Sequence, residues 1–181
     1  MLYFITSNTG KFREVQKIIP QLHQLNLKLD EIQSMDPQTV IEHKLEQAAS
    51  HHDGAFIVED TSLVLNCIAP LPGTLIKWFE DSIGYQGIAD LVLRYDDNVA
   101  TIFVTIGYRD IKGSTMYFIA NNAGKIVSPR GDNGFGFDPV FIAAGQTKTN
   151  AELTSKEKNA FSARGKAARE LGDYLANTIQ A

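Results

Sequence analysis

The first segment with side chains suited to chemistry is residues 6–11, which read TSNTGK. It follows the apolar run at residues 2–5 and precedes a pattern in which Phe12 and Val15 recur at helical spacing. Small polar side chains let a backbone approach a ligand closely, and the first turn of a helix offers free N–H groups to an anion. The segment therefore suits phosphate, with Lys11 as a point charge. Taken alone, a plain turn with a helix cap is the simpler interpretation.

A second segment, residues 58–62, runs from an apolar stretch directly into the adjacent carboxylates Glu59 and Asp60. Carboxylates at the end of a strand in an α/β sheet lie near the crevice where such folds bind ligands. Successive side chains of an extended chain face opposite ways, so we expect the two to serve different purposes. One would hold a cation or activate water, and the other would brace the loop. A solvated turn after the strand is the alternative.

Further charged residues follow the second predicted strand. Asp30, Glu31 and Asp36 lie in one loop, and magnesium prefers one or two such carboxylates together with substrate phosphates. Lys44 borders the apolar stripe of the helix that follows. Either its ammonium extends to solvent along the apolar surface, or it contacts phosphate.

The last third of the chain contains a loop and a basic segment. Residues 131–139 read GDNGFGFDP, and a glycine-flanked aromatic such as Phe135 suits stacking on a nucleobase, whereas Phe137 suits a core anchor. Residues 146–169 carry six Lys and Arg side chains against two carboxylates, although the whole chain has a net charge of -4. This asymmetry indicates an anion site, for which Ser162 and Arg164 before the last helix are best placed.

Regular elements must position these side chains. Apolar runs and alternation predict strands over residues 2–6, 25–29, 55–58, 63–68, 99–108 and 115–120. Helices are predicted from Asp36-Pro37, over residues 74–79 and 87–95, after the capping-box pair Thr154 and Glu157, and at the carboxyl end. Strands and helices alternate early and strands run consecutively later, which predicts an α/β fold with a mixed, twisted sheet. We expect residues 1–181 to form a single domain.

Composition excludes several classes of protein. The chain is 44% hydrophobic and 21% charged, as soluble globular proteins are. Its mild acidity argues against a nucleic-acid partner. Cys67 is the single cysteine, so no internal disulfide can form. We expect no membrane partner, because no apolar stretch is long enough to span a bilayer, and a cytoplasmic location, because the start does not read as a secretory signal.

The motifs together resemble those of the inosine triphosphate pyrophosphatase family, the non-canonical purine NTP pyrophosphatases. In chain order they are TSNTGK, VEDTSL, LPGTLIKWF, PRGDNGFGFDPVF and ELTSKEKNAFSARGKA, which span nearly the whole sequence. The resemblance implies magnesium-dependent hydrolysis of ITP, dITP or XTP to the monophosphate and pyrophosphate, which cleanses the nucleotide pool. It also implies a long mixed sheet flanked by helices, two lobes with a central cleft, and a homodimer.

Matched residue by residue, the resemblance implies three groups of site residues. Glu31 and Asp60 match the acidic positions linked to magnesium, and Asp60 would also be the general base. The triphosphate would be held by Thr6, Ser7, Asn8, Lys11 and Lys44. The base and sugar would be bound by Thr61, Ser62, Phe135, Gly136, Phe137, Asp138, Lys158, Ser162, Ala163 and Arg164, with Phe135 stacked on the purine.

One position departs from the family. The family usually reads Ser-His-Arg before the last helix, where this chain reads Ser162-Ala163-Arg164. That histidine helps recognise the 6-oxo group, so its absence predicts weaker base selectivity, or recognition by Arg164 and backbone groups. Two alternatives stay open: a same-fold enzyme with broader or different base specificity, as in the Maf-type pyrophosphatases, and a catalytically silent nucleotide-binding protein. Retention of Glu31 and Asp60 argues against the silent protein.

Overall fold

The computed structural model describes residues 1–179, which form a mixed sheet and five helices. The strands are β1 (Leu2–Ile5), β2 (Leu22–Leu25), β3 (Ala55–Leu65), β4 (Pro72–Gly73), β5 (Val99–Arg109), β6 (Thr115–Ile126) and β7 (Phe141–Ala143). The helices are α1 (Thr9–Gln16), α2 (Pro37–Ala49), α3 (Ile76–Val92), α4 (Ser155–Phe161) and α5 (Ala163–Ile179). Within residues 1–179, no helix combines the length and the apolar character needed to span a membrane.

The sheet has seven strands in the order β2-β1-β3-β5-β6-β7, with β4 paired to β3 outside this path. β1 is parallel to both of its neighbours, and Leu2 lies opposite Leu22 on one side and Ala55 on the other. β4 and β7 are antiparallel to β3 and β6. The prediction of an α/β fold with a mixed sheet is confirmed.

The chain divides into two compact units. Unit 1 contains residues 1–60, 104–120 and the chain from Arg164 onward, and unit 2 contains residues 61–103 and 121–163. The expectation of a single domain over residues 1–181 stays a prediction.

In unit 1, α2 shows how the local sequence builds its element. Asp36 caps the helix by accepting the N–H groups of Gln38 and Thr39, and Pro37 occupies the first turn. Ile41 and Leu45, four residues apart, are buried in a core that also contains Phe56 and Val58 of β3. The start and the inward stripe predicted for this helix are confirmed.

In unit 2, helix boundaries follow glycine and capping signals. α3 joins the two predicted helices but begins at Ile76 rather than residue 74 and ends at Val92 rather than residue 95, and Gly84 interrupts its helical conformation with a φ of 64°. Thr154 caps α4 by accepting the N–H of Glu157, whose carboxylate accepts the N–H of Thr154 in return. The predicted capping box is therefore confirmed.

Four strand predictions are wrong in detail. The strand predicted over residues 115–120 continues to Ile126 as β6. The second strand pairs over residues 22–25 rather than 25–29: Leu25 is its last paired residue, and Leu27 and Leu29 pack against the core beyond the end of the strand. Residues 55–58 and 63–68 are not separate strands: β3 continues to Leu65, and residues 66–68 form a 3₁₀ turn. Glu59 and Asp60 therefore lie within a strand rather than after one. β4 and β7, of two and three residues, are too short for periodicity to detect.

Candidate active site

The loop at residues 6–9 is organised by its own side chains. Thr6 Oγ1 accepts the N–H of Asn8 at 3.1 Å, and Asn8 Oδ1 accepts the N–H of Lys11 at 3.0 Å, which caps α1. The interpretation of this segment as a turn and cap is confirmed. Ser7 and Asn8 remain exposed beside the first turn of α1. The loop is thus fixed where the free N–H groups of a helix start are available to an anion.

Three buried charged residues and the partly exposed Lys11 form a group that we call the Glu59 cluster: Lys11, Glu14, Glu59 and Arg164. Lys11 Nζ lies 3.1 Å from Glu59 Oε1. Arg164 donates from Nε to Glu59 Oε2 at 2.7 Å, from Nη2 to Glu59 Oε1 at 3.1 Å, and from Nη1 to Glu14 Oε2 at 2.6 Å. All four residues belong to unit 1. The cluster joins β3 to the starts of α1 and α5.

The charges of the Glu59 cluster depend on one another. Burial by itself would lower the pKa of the Arg164 guanidinium, but the charges and hydrogen bonds of Glu59 and Glu14 raise it above its ordinary value. Glu14, Glu59 and Arg164 are each at most 6% exposed. Breaking such a buried pair costs about 3–5 kcal/mol, because a charge is left uncompensated. Arg164 therefore stays charged. Removing any one charge of the cluster would leave another without compensation.

A second group in unit 1, the Asp60 cluster, consists of Glu31, Lys44 and Asp60. Lys44 Nζ donates to Asp60 Oδ1 at 2.7 Å and to the carbonyl oxygen of Glu59 at 3.4 Å, and it lies 3.7 Å from Glu31 Oε1. The Lys44 side chain is only 8% exposed, so its ammonium is held by carboxylates rather than extended to solvent. Glu59 and Asp60 contact different cations, as their adjacent positions on an extended strand predicted.

The Asp60 cluster fits a divalent metal. Asp60 Oδ2 is buried, and no group within residues 1–179 hydrogen-bonds to it. Magnesium is bound by one or two carboxylates and completes its shell with phosphate and water. The described residues hold no group of three His, Cys, Asp or Glu side chains arranged for a metal, so protein carboxylates would supply only part of the shell. Asp60, with Glu31 beside the same ammonium, provides that kind of partial site.

In unit 2, a third group surrounds Asp138, and we call Phe135, Asp138, Asn150 and Lys158 the Asp138 cluster. Asp138 Oδ2 accepts Lys158 Nζ at 2.6 Å and the N–H of Phe135 at 3.0 Å, and Oδ1 accepts Asn150 Nδ2 at 3.2 Å. Lys158 Nζ also lies 4.9 Å from the centroid of the Phe135 ring, within cation–π range. The Asp138 carboxylate thus fixes the backbone of the loop that carries the half-buried ring of Phe135.

Glycines shape the loop that carries Phe135. Gly134 and Gly136 adopt φ values of 81° and 61°, which side chains rarely tolerate. A Cβ at position 134 would strike the Asp138 carboxylate, and one at position 136 would lie 2.6 Å from Glu80 Oε1. The loop borders a cavity of about 510 Å³ within unit 2, a size typical of small-molecule sites.

The other residues predicted to bind base or sugar are mostly buried, although Thr61 is half-buried like Phe135. Phe137 is buried, as expected for a core anchor, and its assignment to the base stays a prediction. Ser162 closes α4 by donating its N–H to the Lys158 carbonyl, and Ala163, 2% exposed, begins α5. Thr61 and Ser62 lie within β3 and belong to unit 2.

The structure sorts the predicted residues by unit. Unit 1 holds the residues assigned to the triphosphate and metal, and unit 2 holds those assigned to base and sugar, except for Arg164. Sequence reasoning missed Glu14 and Asn150. Glu14 had a detectable signal, because it lies in α1 four residues before the apolar Ile18, which follows that helix. Asn150 had none, since only tertiary structure brings it to Asp138.

Comparison with known proteins identifies the family. The family model described as the Ham1 family matches residues 2–174. The chain belongs to the Ham1 family. An inosine triphosphate pyrophosphatase from Pyricularia oryzae is 41% identical over 177 residues, covering 96% of this chain and 92% of the relative. A dITP/XTP pyrophosphatase from Thermococcus kodakarensis is 36% identical and covers 99% of both chains.

Solved Ham1 structures agree with the fold. The Ham1 protein of Staphylococcus aureus superposes with a TM-score of 0.81 at 23% identity, covering 98% of this chain and all of that one. A HAM1 protein from Coxiella burnetii gives a TM-score of 0.82 at 23% identity with the same coverage. At this identity the likeness establishes a shared Ham1 fold.

Proposed function

We propose that this chain hydrolyses the non-canonical purine nucleoside triphosphates ITP, dITP and XTP to the monophosphate and pyrophosphate. Relatives at 36–41% identity over nearly the whole chain carry the names inosine triphosphate pyrophosphatase and dITP/XTP pyrophosphatase. The structural observation that carries the proposal is Asp60, which has one oxygen fixed by Lys44 and the other buried without a hydrogen-bond partner among residues 1–179. A carboxylate held in this way is suited to accept a proton from water.

The residues of unit 1 would act on the triphosphate. Thr6, Ser7 and Asn8 would surround the phosphates at the start of α1, while Lys11 and Lys44 would neutralise their negative charge. Both ammonium groups already lie within a few ångströms of carboxylates, so each is oriented before the substrate arrives. Phosphoryl chemistry depends mainly on such positioning and charge neutralisation.

Asp60 would act as the general base. When Lys44 turns from Asp60 Oδ1 toward the phosphates, Oδ1 would become available to the metal, and Oδ2 would accept a proton from the attacking water. The water oxygen then bonds to the α-phosphorus, and the bond from that phosphorus to the bridging oxygen breaks to release pyrophosphate. The proton on Asp60 is lost to solvent before the next turnover.

Asp60 and Glu31 would hold the metal, which we propose to be magnesium. Bound magnesium would offset the charge that the phosphate oxygens carry as pyrophosphate leaves. We expect chelation with EDTA to abolish pyrophosphate release and added magnesium to restore it. Calorimetric titration of magnesium would then give weaker binding to the Glu31→Gln variant than to the parent. Full activity in EDTA would contradict the metal assignment.

The residues of unit 2 would bind the nucleoside. Phe135 would stack on the purine, with Lys158 held near its ring and Asp138 fixing the loop backbone. The resemblance also assigns five further residues to the nucleoside: Gly136, Phe137, Thr61, Ser62 and Ser162. The homodimer and the cytoplasmic location are also part of the proposal, and light scattering on the purified protein tests the dimer.

Ala163 should weaken the discrimination between 6-oxo purines and adenine. Alanine offers no side-chain hydrogen bond, and its position is 2% exposed, so nothing polar replaces the family's histidine there. We expect Ala163→His to raise the ratio of kcat/KM for ITP to that for ATP, with thermal unfolding checked because the site is buried. An unchanged ratio in the folded variant would contradict a role for this position in base recognition.

The deciding experiment is pyrophosphate release, with magnesium, from ITP, dITP, XTP, GTP, ATP and the pyrimidine triphosphates at matched concentrations. Preference for ITP, dITP and XTP is the expected result. Hydrolysis of all the nucleotides at similar rates would favour an enzyme of broader specificity. Tight binding without pyrophosphate release would favour a catalytically silent nucleotide-binding protein.

A further inference from the structure

Asn150 is buried beside the Asp138 carboxylate in unit 2. The residue is 3% exposed, and its Nδ2 donates to Asp138 Oδ1 at 3.2 Å. Its own Oδ1 is buried and accepts no hydrogen bond from residues 1–179. Exchanging the amide nitrogen and oxygen would bring two acceptors together, so the Asp138 carboxylate determines which way the amide faces.

An asparagine at this position is unfavourable in one respect. A buried carbonyl oxygen without a partner destabilises the folded protein, and a leucine of similar size would avoid that cost. A buried polar group that is only partly satisfied therefore requires an explanation. The donor half of the Asn150 amide provides it, because within residues 1–179 this nitrogen is the donor to Asp138 Oδ1.

The hydrogen bond from Asn150 sets the plane of the Asp138 carboxylate. Rotation of an aspartate carboxylate about its Cβ–Cγ bond has a broad minimum, so its hydrogen-bond partners determine its orientation. Asn150 holds Oδ1, which directs Oδ2 to the N–H of Phe135 at 3.0 Å and to Lys158 Nζ at 2.6 Å. Without the amide, the carboxylate would be free to turn and to release the backbone that carries the Phe135 ring.

The 3₁₀ turn that begins at Asn150 packs directly against the loop that carries Phe135. Asn133 of that loop donates its N–H to the Ala151 carbonyl oxygen at 3.0 Å. A Cβ at Gly131 would lie 2.5 Å from the same carbonyl group, so only a glycine permits so close an approach of the two backbones. The turn is therefore anchored to the loop, and the amide acts from a fixed backbone.

We propose that Asn150 is a positioning residue for nucleoside binding, which acts through Asp138 on the loop of Phe135. This inference deepens the proposed function and rests on it for the identity of the ligand. All four residues of the Asp138 cluster belong to unit 2, to which the nucleoside is assigned. Loss of the amide should therefore weaken binding of the nucleoside and leave binding of the phosphates unchanged.

The first test measures the binding of two ligands to the Asn150→Leu variant by calorimetry in EDTA, where no hydrolysis is expected. The ligands are ITP and inorganic tripolyphosphate, which has no base. Leucine has a similar size but no donor, so we expect about tenfold weaker binding of ITP, with tripolyphosphate affinity within about twofold of the parent. With magnesium, KM for ITP should rise by a similar factor while kcat changes little. Equal weakening of both ligands would contradict a role confined to the nucleoside.

Asn122→Leu is the matched control. Asn122 lies on β6 in unit 2, is 7% exposed, and has a buried Nδ2 that makes no hydrogen bond within residues 1–179. The substitution removes a buried amide from the same unit without removing a hydrogen bond to Asp138. The ratio of ITP affinity to tripolyphosphate affinity should stay within about twofold of the parent. A similar fall of this ratio in both variants would overturn the proposal, because any buried amide of unit 2 would then have the same effect.

A double-mutant cycle tests whether the effect passes through the Phe135 loop. In a Phe135→Leu background, Asn150→Leu should weaken ITP binding much less than in the parent, because the ring being positioned is gone. In a Lys11→Ala background the full effect should remain. Equal effects in all three backgrounds would overturn the proposed path through Phe135.

Asn150→Ser provides a second variant in case Asn150→Leu does not fold. The serine hydroxyl ends one bond short of the amide nitrogen, so this variant should show the same selective loss of ITP affinity. Parent-like affinity for ITP in a folded variant would overturn the inference. Because these titrations require no turnover, that result is distinguishable from failure of the proposed function, which would appear as a parent protein that binds ITP but releases no pyrophosphate with magnesium.

Discussion

The charged clusters of unit 1 and the Asp138 cluster of unit 2 are built on different kinds of backbone. In unit 1, Glu59 and Asp60 project from the long strand β3, and Lys44 lies on α2. In unit 2, Phe135 lies in a glycine-rich loop, Asp138 begins a 3₁₀ turn, and Asn150 begins another. Ladder and helix hydrogen bonds hold the backbones of Glu59, Asp60 and Lys44, whereas side-chain hydrogen bonds and positive-φ glycines hold the loop of Phe135 and Asp138. Glu31, outside any helix or strand, and Lys158, on α4, are the exceptions.

This difference separates the two tasks of the proposed enzyme. Phosphate groups are the same in every nucleoside triphosphate, so the residues that bind them can be fixed on rigid elements. The base varies between substrates, and a loop held by a few side-chain contacts can change without disturbing the sheet. The contrast predicts that variants in unit 1 act equally on all nucleotides, while variants in unit 2 depend on the base.

The largest effect should come from Asp60→Asn. Loss of the general base should lower kcat by about 10²–10⁴-fold, because the amide oxygen can still accept from Lys44 but the side chain cannot take up a proton. Measured without magnesium, so that loss of a metal ligand does not contribute, tripolyphosphate affinity should stay within a few-fold of the parent, as calorimetry can check. Asp53→Asn, at an exposed position before the same strand, is the control. Near-normal turnover of Asp60→Asn would remove Asp60 from this role.

Phe135→Leu should have an intermediate effect confined to the base. Loss of stacking worth about 1–3 kcal/mol should raise KM for ITP roughly tenfold and leave tripolyphosphate affinity unchanged. Phe135→Tyr retains the ring and should restore most of the affinity. If Phe135→Leu weakened tripolyphosphate and ITP equally, the assignment of the two units to different parts of the substrate would be wrong.

Gly134→Ala should show how much the backbone conformation at this position contributes to the stability of the Phe135 loop. The alanine must adopt a positive φ, and its Cβ would meet the Asp138 carboxylate, so we expect a loss of about 1–3 kcal/mol in the free energy of unfolding. Gly145→Ala is the matched control, since its φ is also positive but a Cβ there meets nothing within 4 Å. Equal losses in urea denaturation would show that the contact with Asp138 adds nothing to the backbone strain.

The smallest effects concern helix caps, one in each unit. The hydroxyl of Thr39 and the N–H groups of Gln38 and Thr39 lower the pKa of the Asp36 carboxyl, and the hydroxyl and N–H of Thr154 lower the pKa of Glu157. A pKa lowered by folding contributes stability above the unfolded value, and that stability is lost as the pH falls through the folded value.

The caps therefore predict a pH dependence that denaturation can measure. Asp36→Asn and Glu157→Gln should be less stable than the parent at neutral pH, and the difference should shrink as the pH falls below the ordinary values of 3.8 and 4.5. Both variants should behave alike, because these interactions are local in either unit. A difference that stayed constant down to acidic pH would show that the carboxylate charge does not contribute.

Local sequence signals predicted several features of both units, namely the helix caps, the opposite orientation of two adjacent carboxylates and a break between helical segments. The cap at Asp36 and the capping box at Thr154 appear where the sequence placed them, because their hydrogen bonds join residues two or three positions apart. The opposite orientation of Glu59 and Asp60 followed from the pleat of an extended chain. The break between two helical segments coincides with Gly84 inside α3.

The sequence by itself determined the α/β class, the helix starts and the family motifs, since these depend on periodicity, capping chemistry and the order of residues. Tertiary structure alone decided that β3 continues through its two carboxylates, because Lys11, Lys44 and Arg164 neutralise them there. It also decided the partners of Arg164, which lie 105 and 150 residues away at Glu59 and Glu14. No spacing rule links residues so far apart. They pair because a guanidinium and carboxylates that are buried together must compensate one another's charge.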